Sequence, residues 1–251
     1  MRPRPAAVRW IVLLAGFLFF ISVVRAHYNW IVPIQTVVEK GETVEVQLTT
    51  GHAFPVGEAG PSTEHLKAFV RLPSGEITAL EWTEQEKYLQ ASVHVHENGL
   101  YTVYFESDRG IISRTAEGWK SGGIDRHPGA ASSMNYYASC LAHIATRPSF
   151  YTSSSPIGLK CELTFAVEKK RIVLTALQNG SPVKDTEISL LKPGADQSEP
   201  IGKTDSSGQL IFSTKKIKGP VLFIASYQKS VPEGNNYQYD LFRSTLYVEL
   251  K

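Results

Sequence analysis

The sequence predicts an all-β protein, an N-terminal signal peptide followed by two β-sandwich domains. Three observations carry this. Short runs rich in Val, Ile, Thr and aromatic residues alternate with Gly, Pro, Asn and Ser clusters along most of the chain. Helical periodicity is scarce once the N-terminal apolar run is past. The 251 residues, less that run, are enough for two modest domains.

The chain opens with a basic head, Arg2, Arg4 and Arg9, and a charge-free apolar run from Trp10 to Val24. That run is short for a membrane span of about 20 residues. Val24 and Ala26 are small residues at the positions a signal peptidase reads, so residues 1–26 read as an export signal cut after Ala26. An uncleaved membrane anchor is the alternative, and Arg25 beside the cut keeps it open. Removing Arg2, Arg4, Arg9 and Arg25 from 26 basic residues leaves 22 against 24 acidic ones, a net charge of −2. No basic stripe remains, which argues against a nucleic-acid partner.

Trp30 to Val38 reads as a first strand, and Lys40-Gly41-Glu42 turns the chain. Thr43 to Thr49 alternates Val44, Val46 and Leu48 with Glu45 and Gln47, a strand with one buried face. Gly51 to Pro61 is a Gly- and Pro-rich loop. Leu66 to Leu72 and Glu76 to Trp82 flank Pro73-Ser74-Gly75, a hairpin signal. Tyr88 to His96 and Leu100 to Glu106 flank Asn98-Gly99, a tight-turn signal. Residues 109–134, punctuated by Gly110, Gly118, Gly122, Gly123 and Gly129, read as a long surface loop. Asn135 to Thr146 returns to strand, with Tyr136, Ala138, Cys140 and Ala142 on one face.

The Ser- and Pro-rich stretch from Arg147 to Gly158 reads as a linker. This gives an N-terminal domain over residues 27–150 and a C-terminal one over 151–251. In the latter, Arg171 to Leu177, Glu187 to Leu191, Gln209 to Ser213, Val221 to Tyr227 and Ser244 to Leu250 read as strands. Cys140 and Cys161 are the only cysteines, and in an exported chain they read as one disulfide. Such a bridge contributes about 3 kcal/mol in the chain-entropy model.

Any imidazole chemistry belongs to the first half, because every histidine lies before Phe150. A cut after Ala26 makes His27 terminal, and its α-amine and imidazole then form a chelate for a transition ion. His52 is the best second ligand, since consecutive strands often lie side by side and would bring it to the same sheet edge. His94 and His96, two apart in a strand, point to one face and could converge on one ion or simply line a polar outer face. His65, His127 and His143 are weaker: His65 and His143 read as solvent-facing, and His127 as a ligand carried on the long loop. No Gly-x-Ser-x-Gly elbow, His-Glu-x-x-His helix or phosphate-binding glycine loop occurs, so no enzyme activity is expected.

Several segments resemble a known family. His27-Tyr28-Asn29-Trp30, Glu39-Lys40-Gly41-Glu42-Thr43-Val44 and Gly51-His52-Ala53-Phe54-Pro55 look like the opening of domain of unknown function family 4198. Asn98-Gly99-Leu100-Tyr101, Asn135-Tyr136-Tyr137-Ala138-Ser139-Cys140-Leu141 and the closing Phe242-Arg243-Ser244-Thr245 resemble its later segments, with Cys140 where lysine is usual. The second half is similar to transthyretin-like or carboxypeptidase-regulatory sandwiches through Asn179-Gly180-Ser181-Pro182-Val183 and Thr204-Asp205-Ser206-Ser207-Gly208. The resemblance implies an exported, periplasmic protein of immunoglobulin-like and transthyretin-like sandwiches. It also implies a role with nickel or cobalt, some members being associated with uptake systems, so that a membrane metal-uptake transporter is an expected partner. Affinity order alone would favour copper. The competing expectations are a non-metal β-sandwich module that binds a surface partner or carbohydrate, and a copper oxygenase using the same terminal histidine.

Overall fold

The computed structural model describes residues 27–215 and 217–250. The expected export signal, residues 1–26, and its expected cut after Ala26 lie outside the described residues. The first half supplies β1 (Tyr28–Pro33), β2 (Thr43–Gly51), β3 (Leu66–Arg71), β4 (Ile77–Ala79), β5 (Thr83–Glu84), β6 (Leu89–His94), β7 (Leu100–Thr115), β8 (Gly118–Ser121) and β9 (Ser132–Ala145). The second half supplies β10 (Glu162–Glu168), β11 (Arg171–Gln178), β12 (Ser181–Pro182), β13 (Glu187–Leu191), β14 (Glu199–Lys203), β15 (Gln209–Ser213), β16 (Gly219–Ser230) and β17 (Tyr239–Leu250). Among the described residues the only helical piece is a short 3-10 turn, Pro148–Phe150. The chain is all-β, as its alternating pattern predicts.

The strands form three sheets. One runs β1-β2-β6-β5, and another is built on β10 and β11, with β12 and β15 on the far edge of β11. The third is nine-stranded, in the order β14-β13-β16-β17-β9-β7-β3-β4, with β8 also on β7. Side-chain alternation along this sheet feeds two cores. Val103, Phe105, Ala142, Ile144, Leu222 and Ile224 pack around Trp30, Val46 and Leu48 of the first sheet. Their sequence neighbours Tyr104, Leu141, Ala145, Val221 and Phe223 pack against Leu163, Phe165 and Leu174 of the second. The architecture is therefore three-layered, with the large sheet in the middle.

The two expected units, residues 27–150 and 151–251, share that middle sheet. Its strands β9 and β17 pair in parallel from Met134↔Tyr239 to Leu141↔Leu246. Covered on both faces, they read as nearly continuous buried runs at Ala138–Ala145 and Ser244–Val248.

Three expectations change. Residues 109–134 are not a long loop: β7 continues to Thr115 and pairs with β8 and β9. A register shift between Asp108 and Gly110, with Gly110 at φ +63°, interrupts the alternation and hides the strand from a pattern reading. Asn98-Gly99 is not a hairpin turn either, because β6 and β7 belong to different sheets. The Tyr101 hydroxyl accepts from the Glu97 N–H at 2.7 Å and lies 3.1 Å from the Glu97 carbonyl, holding the crossover. Gly99, at φ +142°, passes so close to Pro73 that a Cβ there would overlap the ring.

The disulfide is also absent: Cys140 and Cys161 are buried free thiols. Cys140 Sγ–H points to the Asn29 carbonyl at 3.0 Å, on the face of β9 that meets β1. Cys161 packs against Ser139, whose hydroxyl donates to the Cys161 carbonyl at 2.6 Å. Adjacent strand residues point to opposite faces, so Ser139 and Cys140 place the two sulfurs on opposite sides of the central sheet.

Candidate metal centre

β1 and β2 pair antiparallel with Tyr28 opposite Gly51. The residue before β1 and the residue after β2 therefore emerge side by side, and these are His27 and His52. Their ring centroids are 4.1 Å apart and tilted by 46°.

The loop after β2 folds back and adds a carboxylate. Thr50 N–H donates to Ala59 O and Glu58 N–H to Thr50 O, each at 2.9 Å. Phe54 is buried against Trp30 and Tyr247, and the Trp30 indole N–H donates to Pro55 O at 3.2 Å. Burying a phenylalanine contributes about 2–3 kcal/mol, which ties the loop to the core rather than leaving it loose. Buried Thr49 donates from Oγ1 to Lys87 O at 2.7 Å beneath the loop. Gly57 rides directly over Thr49: a Cβ at Gly57 would overlap Thr49 Oγ1.

This folding sets Glu58 between the two imidazoles. Its Oε1 accepts from the His52 N–H at 3.0 Å and meets His52 Nδ1 at 3.1 Å. Its Oε2 lies 3.6 Å from His27 Nε2. One donor atom from each of the three residues fits within 4.8 Å of the other two. The His52 backbone N–H, then its ring, hold the Glu58 carboxyl below the usual carboxylate range, with His27 adding a smaller effect. The side chain of His52 is 19% exposed, against 48% for Glu58 and 63% for His27, so the trio opens to solvent on the His27 side.

The donor set is two imidazole nitrogens and one carboxylate oxygen. It suits a borderline divalent ion such as nickel, cobalt, copper or zinc better than calcium or magnesium, which prefer all-oxygen shells. With Nε2 of His27 facing Glu58, the three side chains form the set without an α-amine.

His94 and His96 do not join it. Thr43, at the opposite end of β2 from Gly51, pairs with His94. Eight residue steps at about 3.3 Å each put roughly 26 Å between the two ends. The two rings do lie together, centroids 6.0 Å apart, but His94 Nδ1 is engaged with Thr43 Oγ1 at 3.3 Å and His96 Nδ1 with the His94 carbonyl at 3.3 Å. His65 is exposed beside Glu64, and His127 Nε2 bonds the Ser121 carbonyl at 3.0 Å.

His143 is not solvent-facing but fully buried, because β9 is covered on both sides. Its Nδ1 meets Thr102 Oγ1 at 3.1 Å, its ring packs 5.1 Å from Phe165, and burial lowers its pKa to about 3. It is a neutral core histidine. Glu58 is the residue that sequence reasoning missed; the one signal was its place in the same short loop as His52.

A family model described as "Domain of unknown function (DUF4198)" matches residues 24–229. The chain belongs to this family. No curated protein matches it. Among solved structures, a DUF4785 family protein from Legionella pneumophila is similar at 10% identity and a TM-score of 0.27, covering 78% of this chain and half of that one. Trypsin-activated alpha-2-macroglobulin from Escherichia coli is similar at 10% identity and a TM-score of 0.27, over 88% of this chain and 16% of that one. The D0-D1 domain of intimin is similar at 11% identity and a TM-score of 0.23, covering 87% of this chain and 97% of that one. At these scores the all-β class rests on the chain's own sheets.

Proposed function

We propose that this DUF4198 member is an exported protein that captures or delivers a divalent transition ion held by His27, His52 and Glu58. One observation carries the reading: a strand start, a strand end and an anchored loop bring three donor atoms within 4.8 Å of one another at the surface. Such a site suits capture and release. Its imidazoles must be neutral to bind, so the ion competes with protons, and one side stays open to an acceptor. Nickel or cobalt is favoured by the family resemblance, with copper as the alternative from affinity order. The resemblance also supplies the periplasm of a Gram-negative bacterium as the compartment and a membrane metal-uptake transporter as the recipient.

Metal analysis of untagged protein purified from its native compartment tests this. One equivalent of nickel, cobalt or copper is expected. No stoichiometric transition ion would favour the other reading, a β-sandwich module that binds a surface partner or carbohydrate.

A further inference from the structure

Beside the His27 edge lies a cleft of about 450 Å³, within the range that takes a small organic molecule. His27 lines one edge of it, so it adjoins the imidazole–carboxylate trio, while its remaining lining is of different chemistry. Its apolar part comes from Ile112, Met134 and Leu241, which form a small core cluster of their own at one end of the central sheet. Trp119 on β8, 47% exposed, and Tyr136 add aromatic surface.

The cationic groups of the lining are Arg109 and Arg243, against one carboxylate, Glu64. Neither has an ion pair among the described residues, although acidic groups nearby are paired elsewhere: Asp108 with Lys160 at 2.6 Å, and Glu64, also on the cleft, with His65 at 3.8 Å. Arg243 is half-buried on β17, and its Nε is buried with no hydrogen-bond partner among the described residues. Its guanidinium sits over the Tyr28 ring, 5.2 Å from the centroid. The Tyr28 hydroxyl in turn bonds Ser198 Oγ at 3.2 Å, which fixes that ring. Nε itself is closed to the cleft, but a guanidinium that has no ion pair and lines the cleft offers its remaining N–H groups to an anion there. Its fork suits a carboxylate.

We propose that this cleft binds a small organic carboxylate with an apolar body, the carboxylate at Arg243 and Arg109 and the body against Trp119, Met134 and Ile112. The site stands whether or not the His27, His52 and Glu58 trio holds an ion.

The test uses the mature protein stripped of metal with EDTA. The probes are 3-phenylpropionate, the uncharged 3-phenyl-1-propanol, and acetate. Binding is followed by tryptophan fluorescence and by the Trp119 indole N–H signal in NMR, assigned with Trp119→Phe. Phenylpropionate is expected to bind at least about ten-fold more tightly than either control, the size of effect a charge-assisted hydrogen bond gives. Arg243→Gln should remove most of the preference for the acid over the alcohol, and Arg109→Gln should weaken binding of the acid by a smaller factor. If Arg243→Gln does not fold, exposed Arg109→Gln and Arg109→Lys decide the matter: Gln must weaken binding more than Lys. Equal affinity for acid and alcohol, no binding of any probe, or unchanged affinity in Arg109→Gln would each overturn the proposal.

Discussion

Glu58 meets His52 twice, accepting from its backbone N–H at 3.0 Å and touching its ring Nδ1 at 3.1 Å. The carboxylate is thus positioned by the residue it would share an ion with, and by the loop backbone rather than by a strand. Loop geometry should therefore control the site as much as the ligands do.

Gly57→Ala tests this. The added methyl would overlap Thr49 Oγ1, a buried hydroxyl bonded to Lys87 O and Ala59 O. Either the loop lifts or Thr49 loses its bonds. A loss of about 1–3 kcal/mol in denaturant unfolding is expected, with weaker ion binding although no ligand has changed.

The double variant His94→Ala/His96→Ala should bind the ion as the parent does, because its residues lie at the far end of β2 from Gly51. Calorimetric titration checks it. A matching loss of affinity would mean that the ion sits elsewhere.

Buried free thiols behave differently from a disulfide. Burial pushes the Cys161 thiol to about 12 and Cys140 well above its ordinary value, so neither is a reactive thiolate at neutral pH. Two thiols should react with a thiol reagent in denaturant and essentially none in the native protein. The unfolding midpoint should be the same with and without reductant.

Acid should destabilise the fold through His143. Its folded pKa, about 3, lies below the ordinary value of 6.5, so the unfolded chain binds the extra proton first. The stability tied to neutral His143 is intact above pH 6.5 and is lost progressively as pH falls from 6.5 towards about 3. The slope is at most about 1.4 kcal/mol per pH unit from this one group. His143→Gln, which cannot take the proton, should flatten that part of a stability–pH curve measured by urea unfolding.

What the sequence made legible follows from strand physics. Alternation in Thr43–Thr49 marks a sheet with one covered face, and β2 is such a strand. The closeness of His27 and His52 follows from neighbouring strands pairing, as β1 and β2 do. Where both faces are covered, alternation carries no signal. That is why His143 looked exposed, and why Ser139 and Cys140 gave no warning that the sulfurs lie on opposite faces. Glu58 was illegible for another reason. It acts through a loop whose path is set by Phe54 burial, the Thr49 hydroxyl and the absence of a side chain at Gly57, and none of these has a period.

The central claim is tested most directly by calorimetric titration of metal-free protein with nickel, cobalt, copper and zinc, comparing the parent with His52→Ala and Glu58→Gln. The account predicts one site per chain for at least one of these ions, abolished in His52→Ala and weakened about ten-fold or more in Glu58→Gln, a loss of about 1.4 kcal/mol or more. Unchanged binding in both variants, or no binding of any of the four ions by the parent, would contradict it.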